Sequence, residues 1–394
     1  MHPLDGIRVI DLTTMINGPY SASLLADMGA DVVKIEPPDG DPWRSVSGGF
    51  IACNRGKRSI CMDLKKEEAK EIAYALIARS DVIVENARWG VWRKLGLDYD
   101  SVVKIKPEIV YLSALGHGSK GPYSNWPGYD PLLQARSGQM VAQGGMGTPP
   151  VYHQIAINDL ATPMLGAYGV VLALLTRART GKGQRVETSL TNASIALQAD
   201  SFIDFTGIDR KYLGGENLQG LSAGHRHYRT RDDRYIFVLC PYEKHWRSLS
   251  KVMGLDHLLA DPRFETKEKR EENDKELTEI LGEVFKTRES DEWIAALTRE
   301  DVPAALGQTA EELMSDKHCE DNDIFDERDY PELGKVRQPG VAPLFSGMSG
   351  VIRRRAPLLG EHTEEVLLEL GYTEGRIAEL RDSKVVFVNE EEHE

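Results

Sequence analysis

The stretch IRVIDLTTMINGPYSASLLADMGADVVKIE, residues 7–36, decides the fold. Residues 7–13 form a short run of β-branched and apolar side chains, which reads as a strand. In PYSASLLADMGA (19–30), Pro19 stands near a first helical turn and Gly29 is placed to stop the helix. DVVKIE (31–36) is the next strand. Farther out, KKEEAKEIAYALIARS (65–80) carries Ala69, Ile72, Ala73, Leu76 and Ile77 on one helical stripe. DVIVEN (81–86) and IVYLSALG (109–116) are further strands. Apolar strands separated by helices predict a parallel α/β sheet with helices on its faces. Such sheets bind ligands beyond the carboxyl ends of their strands.

Residues 125–158 are rich in Gly, Pro, Gln and Ser and are expected to form an extended loop region. A long apolar helix over 160–179 follows, then a turn and strand in GKGQRVETSL (181–190), then a helix over 192–205. HRHYRTRDDRYIFVLC (225–240) predicts a hairpin turning at Asp232-Asp233-Arg234. Charged helices at 267–287 and 290–300 complete what reads as a separate, smaller α+β domain ending near 325. LLGEHTEEVLLELGY (358–372) resumes with a capped amphipathic helix.

The 394 residues carry 48 basic and 62 acidic side chains, a formal net charge of −14. That length predicts two or three domains and a core that needs no staples. The acidic balance argues against nucleic-acid and membrane partners, although a few cations in one cleft can still hold a small anion. Cys53, Cys61, Cys240 and Cys319 show no CxxC and no zinc-like spacing. They read as free thiols in a reducing, cytoplasmic setting. MHPLDGIRVIDL has neither the basic start nor the apolar run of a signal peptide. The uncharged stretch 160–176 is shorter than a membrane span of ~20 residues and contains Pro163, Gly166 and Gly169. It is expected as a buried core helix. The final EEEHE reads as a solvated tail.

No GxGxxG follows the first strand, the cluster Gly144-Gly145-Met146-Gly147 lacks that spacing, and no GxxxxGK[ST] occurs. A dinucleotide cofactor is therefore not expected, and neither is a metal. In IAINDL (155–160), Asp159 follows an apolar run and opens a hydrophobic helix. Such an Asp is ordinarily an N-cap. The functional reading is a partly desolvated carboxylate beside oriented N–H groups, a candidate nucleophile. His117 follows a strand and could serve as a base, while His153, His225 and His227 are placed in loops. Lys34, Arg44, Lys57, Arg58, Lys65, Arg88, Arg93 and Lys94 fall within or just after the early strand–helix turns. They read either as a solvated face or as contacts to a phosphate-bearing ligand.

Many segments in order resemble the class III coenzyme A transferases, the family of formyl-CoA and carnitine-CoA transferases. They include PLDGIRVIDLT, Gly18-Pro19, Gly40-Asp41-Pro42-Trp43-Arg44, NRGKRSICMDLK (54–65), DVIVEN, residues 96–122, GYDPLLQARSG (128–138), GKGQRVETSL and LLGEHTEEVL (358–367). The resemblance implies a Rossmann-like, discontinuous large domain: 1–205 as its N-terminal part, 206–330 as linker and small α+β domain, and 331–394 returning to it. It also implies two interlocked chains, as a homodimer or a heterodimer with a related subunit.

Asp159 matches the family's nucleophilic aspartate. The implied reaction is acyl-CoA:carboxylate CoA transfer through an aspartyl anhydride and an aspartyl-CoA thioester. The partners are an acyl-CoA, such as succinyl-CoA, and a small to medium-sized carboxylic acid, read as aromatic or branched from the apolar loop Met15-Ile16. CoA is substrate here, with no tightly bound cofactor. For CoA binding the resemblance points to Met15, Met62, Lys65, Asn86, Ala87, Arg88 and Lys94. Ala87 replaces a usual Phe, and Lys94 replaces an Arg and loses its bidentate fork. Pro37 and Pro127 stand where formyl-CoA transferase has basic contacts. Thr14 and Ile16 replace the His and Gln of the formyl and oxalyl enzymes, whose glycine loop finds only GGENLQG (214–220) here. Oxalate and formate are therefore not the expected acids. Tyr129 replaces the histidine of the α-methylacyl-CoA racemase branch, which leaves racemisation short of one base. Tyr129 and Asp130 are candidates for the acceptor site. The alternatives are a 2-methylacyl-CoA racemase and a CoA-binding subunit of a two-chain transferase.

Overall fold

The computed structural model describes residues 1–145, 148–208, 220–331 and 333–389. Met146 and Gly147, residues 214–219 of the Gly-containing stretch and the EEEHE tail lie outside the described residues. Six parallel strands form the large sheet: β1 (Arg8–Asp11), β2 (Asp31–Glu36), β3 (Lys57–Met62), β4 (Val82–Glu85), β5 (Val110–Leu115) and β6 (Gln184–Ser189). Their order is β3-β2-β1-β4-β5-β6, and the short C-terminal strand Val386–Phe387 closes the β3 edge antiparallel. This is the doubly wound order. The chain reverses its direction of winding between β1 and β4, which opens a crevice beyond their carboxyl ends.

Alternate side chains of each strand fill opposite faces, as a pleat requires. Ile10, Val33, Ile60 and Ile83 pack with Ile72, Ala73 and Ile77 of helix Glu67–Ala78 and with Val366, Leu367 and Ile377 of the C-terminal helices. Val9, Val32, Val84 and Leu112 pack with Ala22 and Leu25 of helix Asn17–Asp27 and with Val170, Ala173 and Leu174 of helix Ile157–Thr180.

The β3 strand is absent from the sequence reading because its first half is Lys57-Arg58-Ser59. All six residues of the strand are nevertheless buried. Lys57 Nζ is 2.7 Å from Asp11 Oδ2 and also donates to Asn54 Oδ1 and the Pro19 carbonyl. Arg58 bridges Asp31, Glu365 and Glu369. Arg44 pairs with Glu36, and Arg93 with Asp98 and Asp100. Of the eight cations expected at the strand ends, Arg44, Lys57 and Arg58 are thus spent on intramolecular pairs with little exposure, and Arg93 on a surface pair.

Helix Ile157–Thr180 is 24 residues long and ends in a left-handed Gly181. It is longer than the uncharged stretch alone suggests, and by length and composition it could cross a membrane. Gly166 lies against Leu112 and Ser21, and Gly169 against Val186, so that the backbone comes close to the sheet. The opposite face is exposed at Met164, Leu165, Tyr168, Val171, Leu172 and Leu175. The expectation of a fully buried helix is thus corrected: one face is core and the other is an uncovered apolar stripe. The expected loop at 125–158 holds helices Asp130–Arg136 and Gln139–Gly144.

The chain divides into two compact units. One comprises Met1–Gln139, Tyr152–Thr206 and Glu320–Glu394, and the other Met140–Val151 and Gly207–Cys319. The second unit carries an antiparallel sheet of β7 (Gly220–Ser222), β8 (His225–Arg229), β9 (Tyr235–Leu239) and β10 (Ala304–Leu306), in the order β10-β9-β8-β7. His225 and His227 lie on β8, not in loops. The expected hairpin turns through Asp233 at φ 61°. Its core is built on Trp246, Phe264, Phe285 and Trp293.

Candidate active site

Loops after β1, β4 and β5 meet at the sheet's switch point around a cavity of about 180 Å³. Residues 14–17 form one wall and residues 86–89 a second. Leu115, Gly116, Trp126 and Tyr129 form a third, and Asp159 completes the lining. The third wall depends on two glycines. A Cβ on Gly128 would lie 2.3 Å from the Gly116 Cα, and one on Gly116 would lie 2.6 Å from the Gly128 Cα. Only glycine lets the two loops touch backbone to backbone.

Asp159 occupies the third position of helix Ile157–Thr180, whose N-cap is Ala156. It is therefore not the N-cap. Among the described residues no donor or cation pairs with its carboxyl. Pro163, four residues on, has no N–H to give the Asp159 carbonyl. Burial, and then the charge of nearby Asp130, push the Asp159 carboxyl up from 3.8 to about 7. The first turn of a helix favours an anion, but here desolvation outweighs it. A part-buried carboxylate, short of water and without a donor, is reactive toward an acyl carbon.

The first wall is held from behind. The Asn86 amide accepts from Thr14 N (3.0 Å) and donates to the Thr14 carbonyl and Asn17 Oδ1, both at 2.7 Å. A Cβ on Gly18 would lie 2.5 Å from Thr13 and 2.8 Å from Asn86, so this turn admits no larger residue. Thr13 donates through its N–H and its hydroxyl to Asp11. Met15 has φ 70°, in the left-handed region. On the second wall, Ala87 N donates to Glu85, whose carboxyl burial raises to about 7.

The sequence model described as CoA-transferase family III matches residues 4–363. The chain belongs to CoA-transferase family III. A Mus musculus succinyl-CoA:glutarate CoA-transferase is 32% identical over 412 residues, covering 100% of this chain and 92% of that protein. The succinyl-CoA--L-malate CoA-transferase beta subunit of Chloroflexus aurantiacus is 32% identical and covers 98% of both chains. A solved CAIB/BAIF family protein from Brucella suis matches with a TM-score of 0.85 at 32% identity, over 94% of this chain and 99% of that one.

Of the residues expected to serve this class III CoA-transferase, the structure gathers Met15, Asn86, Ala87, Arg88, Tyr129 and Asp159 around one cavity. Met62, Lys65, Lys94 and Asp130 do not line it. Met62 is fully buried in the sheet core. Lys65 lies exposed in the turn after β3, and Lys94 lies exposed on helix Val91–Leu95. Among the described residues Lys65, Arg88 and Lys94 are exposed and make no ion pair, unlike the cations spent on buried carboxylates. Asp130 is buried and accepts from Asn158 N (2.8 Å) and Gln134 Nε2 (2.6 Å), so it braces the start of the Asp159 helix. His117 reaches the Pro127 carbonyl and packs on Tyr123 rather than lining the cavity. Sequence reasoning missed the indoles of Trp89 and Trp126, which line the cavity. Their only signal was tryptophan in a loop after an apolar strand.

Proposed function

We propose that this transferase moves CoA from an acyl-CoA donor to a carboxylate acceptor with Asp159 as the nucleophile. The observation that carries the reading is a desolvated, unpartnered carboxyl on the lining of the cavity at the sheet's switch point. The Asp159 carboxylate attacks the donor thioester carbonyl; the C–S bond breaks and CoA thiolate leaves a mixed anhydride. The thiolate then attacks the aspartyl carbonyl, releasing the donor acid and forming an aspartyl-CoA thioester. The acceptor carboxylate attacks that thioester and expels thiolate. The thiolate takes the acceptor's acyl carbon, and the Asp159 carboxylate is restored. The activation of the thioester is conserved throughout, so no resident cofactor is needed. Water must be excluded, since it would hydrolyse each intermediate.

Ile16, Leu115, Trp126 and Tyr129 give the cavity apolar and aromatic surface, which suits a branched or aromatic acid. Met15, Asn86, Ala87 and Arg88 are assigned to the CoA side, with Lys65 and Lys94 outside the cavity as charge for the nucleotide phosphates. The test is transfer from succinyl-CoA to a panel of carboxylates that includes glutarate and malate. CoA exchange by the wild-type chain that is lost in Asp159→Ala supports the reading. Equal rates in both proteins reject it.

A second copy of the chain is the proposed cover for the apolar stripe of helix Ile157–Thr180. The relative named as a beta subunit favours a related second chain as the alternative. Assay of the purified chain alone separates the two.

A further inference from the structure

We propose that Asp41 is a positioning residue for CoA transfer: it holds Met15 in the left-handed turn that shapes one wall of the cavity, and Lys34 fixes Asp41 in place. The inference rests on reading this cavity as the acyl-CoA site. Non-glycine residues avoid positive φ because Cβ crowds the backbone, and Asp or Asn offset that with local hydrogen bonds. Met15, at φ 70°, has no such side chain, so its conformation must be imposed from outside.

The support is specific. Met15 N donates to Asp41 Oδ1 at 3.0 Å, and the same oxygen accepts from Trp43 N at 3.0 Å, capping the short helix Pro42–Ser45. Lys34 Nζ is 3.0 Å from Asp41 Oδ2 and donates to the Thr13 carbonyl at 2.7 Å. Both side chains of this pair are fully buried. Lys34 and Asp41 therefore grip the loop at residues 13 and 15, while Asn86 takes both backbone groups of residue 14 between them. The carboxylates Asp11, Asp41 and Glu36 face Lys34 and keep it charged despite burial. Asp159 belongs to a different element and makes no hydrogen bond to this network. Loss of Asp41 should thus move the wall that receives the thioester and leave the nucleophile where it is.

The test uses the full chain with Asp41→Ala, Met15→Gly and the double variant. It measures the Kd for CoA by calorimetry, and KM and kcat for succinyl-CoA. Asp41→Ala removes the acceptor for Met15 N–H and is expected to raise the Kd and KM about tenfold with kcat within about threefold. Glycine at 15 needs no support at positive φ, so combining it should shrink the Asp41→Ala effect to under about threefold. The paired change Lys34→Met with Asp41→Leu removes both charges of the pair and covers the case where Asp41→Ala does not fold. It too removes the acceptor for Met15 N–H and should show the same tenfold weakening. CoA binding equal to wild type in either Asp41 variant overturns the proposal. So does an Asp41→Ala effect undiminished beside Met15→Gly, or one confined to kcat. A wild-type chain that binds CoA but transfers none rejects transfer by this chain alone, while the Kd comparison still decides Asp41. A wild-type chain that binds no CoA overturns both.

Discussion

In the proposed mechanism the chemistry turns on Asp159, and its surroundings set a pH dependence. Its carboxyl is raised to about 7, first by burial and then by Asp130. In that mechanism the attacking species is the carboxylate, so kcat/KM should climb about tenfold per pH unit up to about 7 and then level off. A profile flat from about pH 5 to 8 would contradict this. The same shift has a stability consequence. The folded state holds the proton to a higher pH than the unfolded chain does. Stability is therefore lost as pH rises from the unfolded value of 3.8 through about 7. Asp159→Asn removes that loss. Urea unfolding should show the variant more stable at pH 8 by on the order of 2 kcal/mol, with the gap closing below about pH 4. Asp159 was legible in sequence because a carboxylate after an apolar run opens an apolar helix. The raised pKa was not legible, because burial, its main cause, and the charge of Asp130, 29 residues away in sequence, come only with the fold.

At the scale of elements, sequence reading finds what period and composition encode. Strands β1, β2, β4 and β5 and the helix Glu67–Ala78 stand out as apolar runs and a helical stripe, and all five are present. Strand β3 did not stand out, because Lys57 and Arg58 break its apolar pattern and become explicable only through carboxylates on other elements. That origin predicts how the strand fails. Lys57→Met strands Asp11 as a buried charge and should cost about 3–5 kcal/mol in urea unfolding, whereas Lys57→Met with Asp11→Leu should cost far less. Similar losses in both would remove the pairing argument. The helices within 130–144 were hidden because each is only six or seven residues long and sits among the glycines and prolines of 125–158. The contact between Gly116 and Gly128 was hidden because sequence shows each glycine alone. Gly128→Ala should lower kcat/KM by at least about tenfold, since the third cavity wall must move; an unchanged value would show that the loops yield without cost.

For the whole molecule, the −14 charge and the anionic CoA substrate are reconciled by where the cations lie. Lys34, Arg44 and Lys57 neutralise buried carboxylates, buried Arg58 pairs with exposed ones, and among the described residues Lys65, Arg88 and Lys94 stay unpaired at the surface of the large unit. The apolar stripe of helix Ile157–Thr180 reads as core in sequence, because composition cannot tell a buried face from an interface face. If a second copy covers it, sedimentation should give a dimer for the wild-type chain and a monomer for Tyr168→Glu with Leu172→Lys. A wild-type monomer would leave the stripe to another partner.

The proposal that acyl transfer passes through Asp159 is tested most directly by incubating the chain with succinyl-CoA and hydroxylamine and mapping the adduct by mass spectrometry. A hydroxamate on Asp159 that forms only when the thioester is present is expected. No adduct at Asp159, together with an Asp159→Ala variant of undiminished activity, would contradict it.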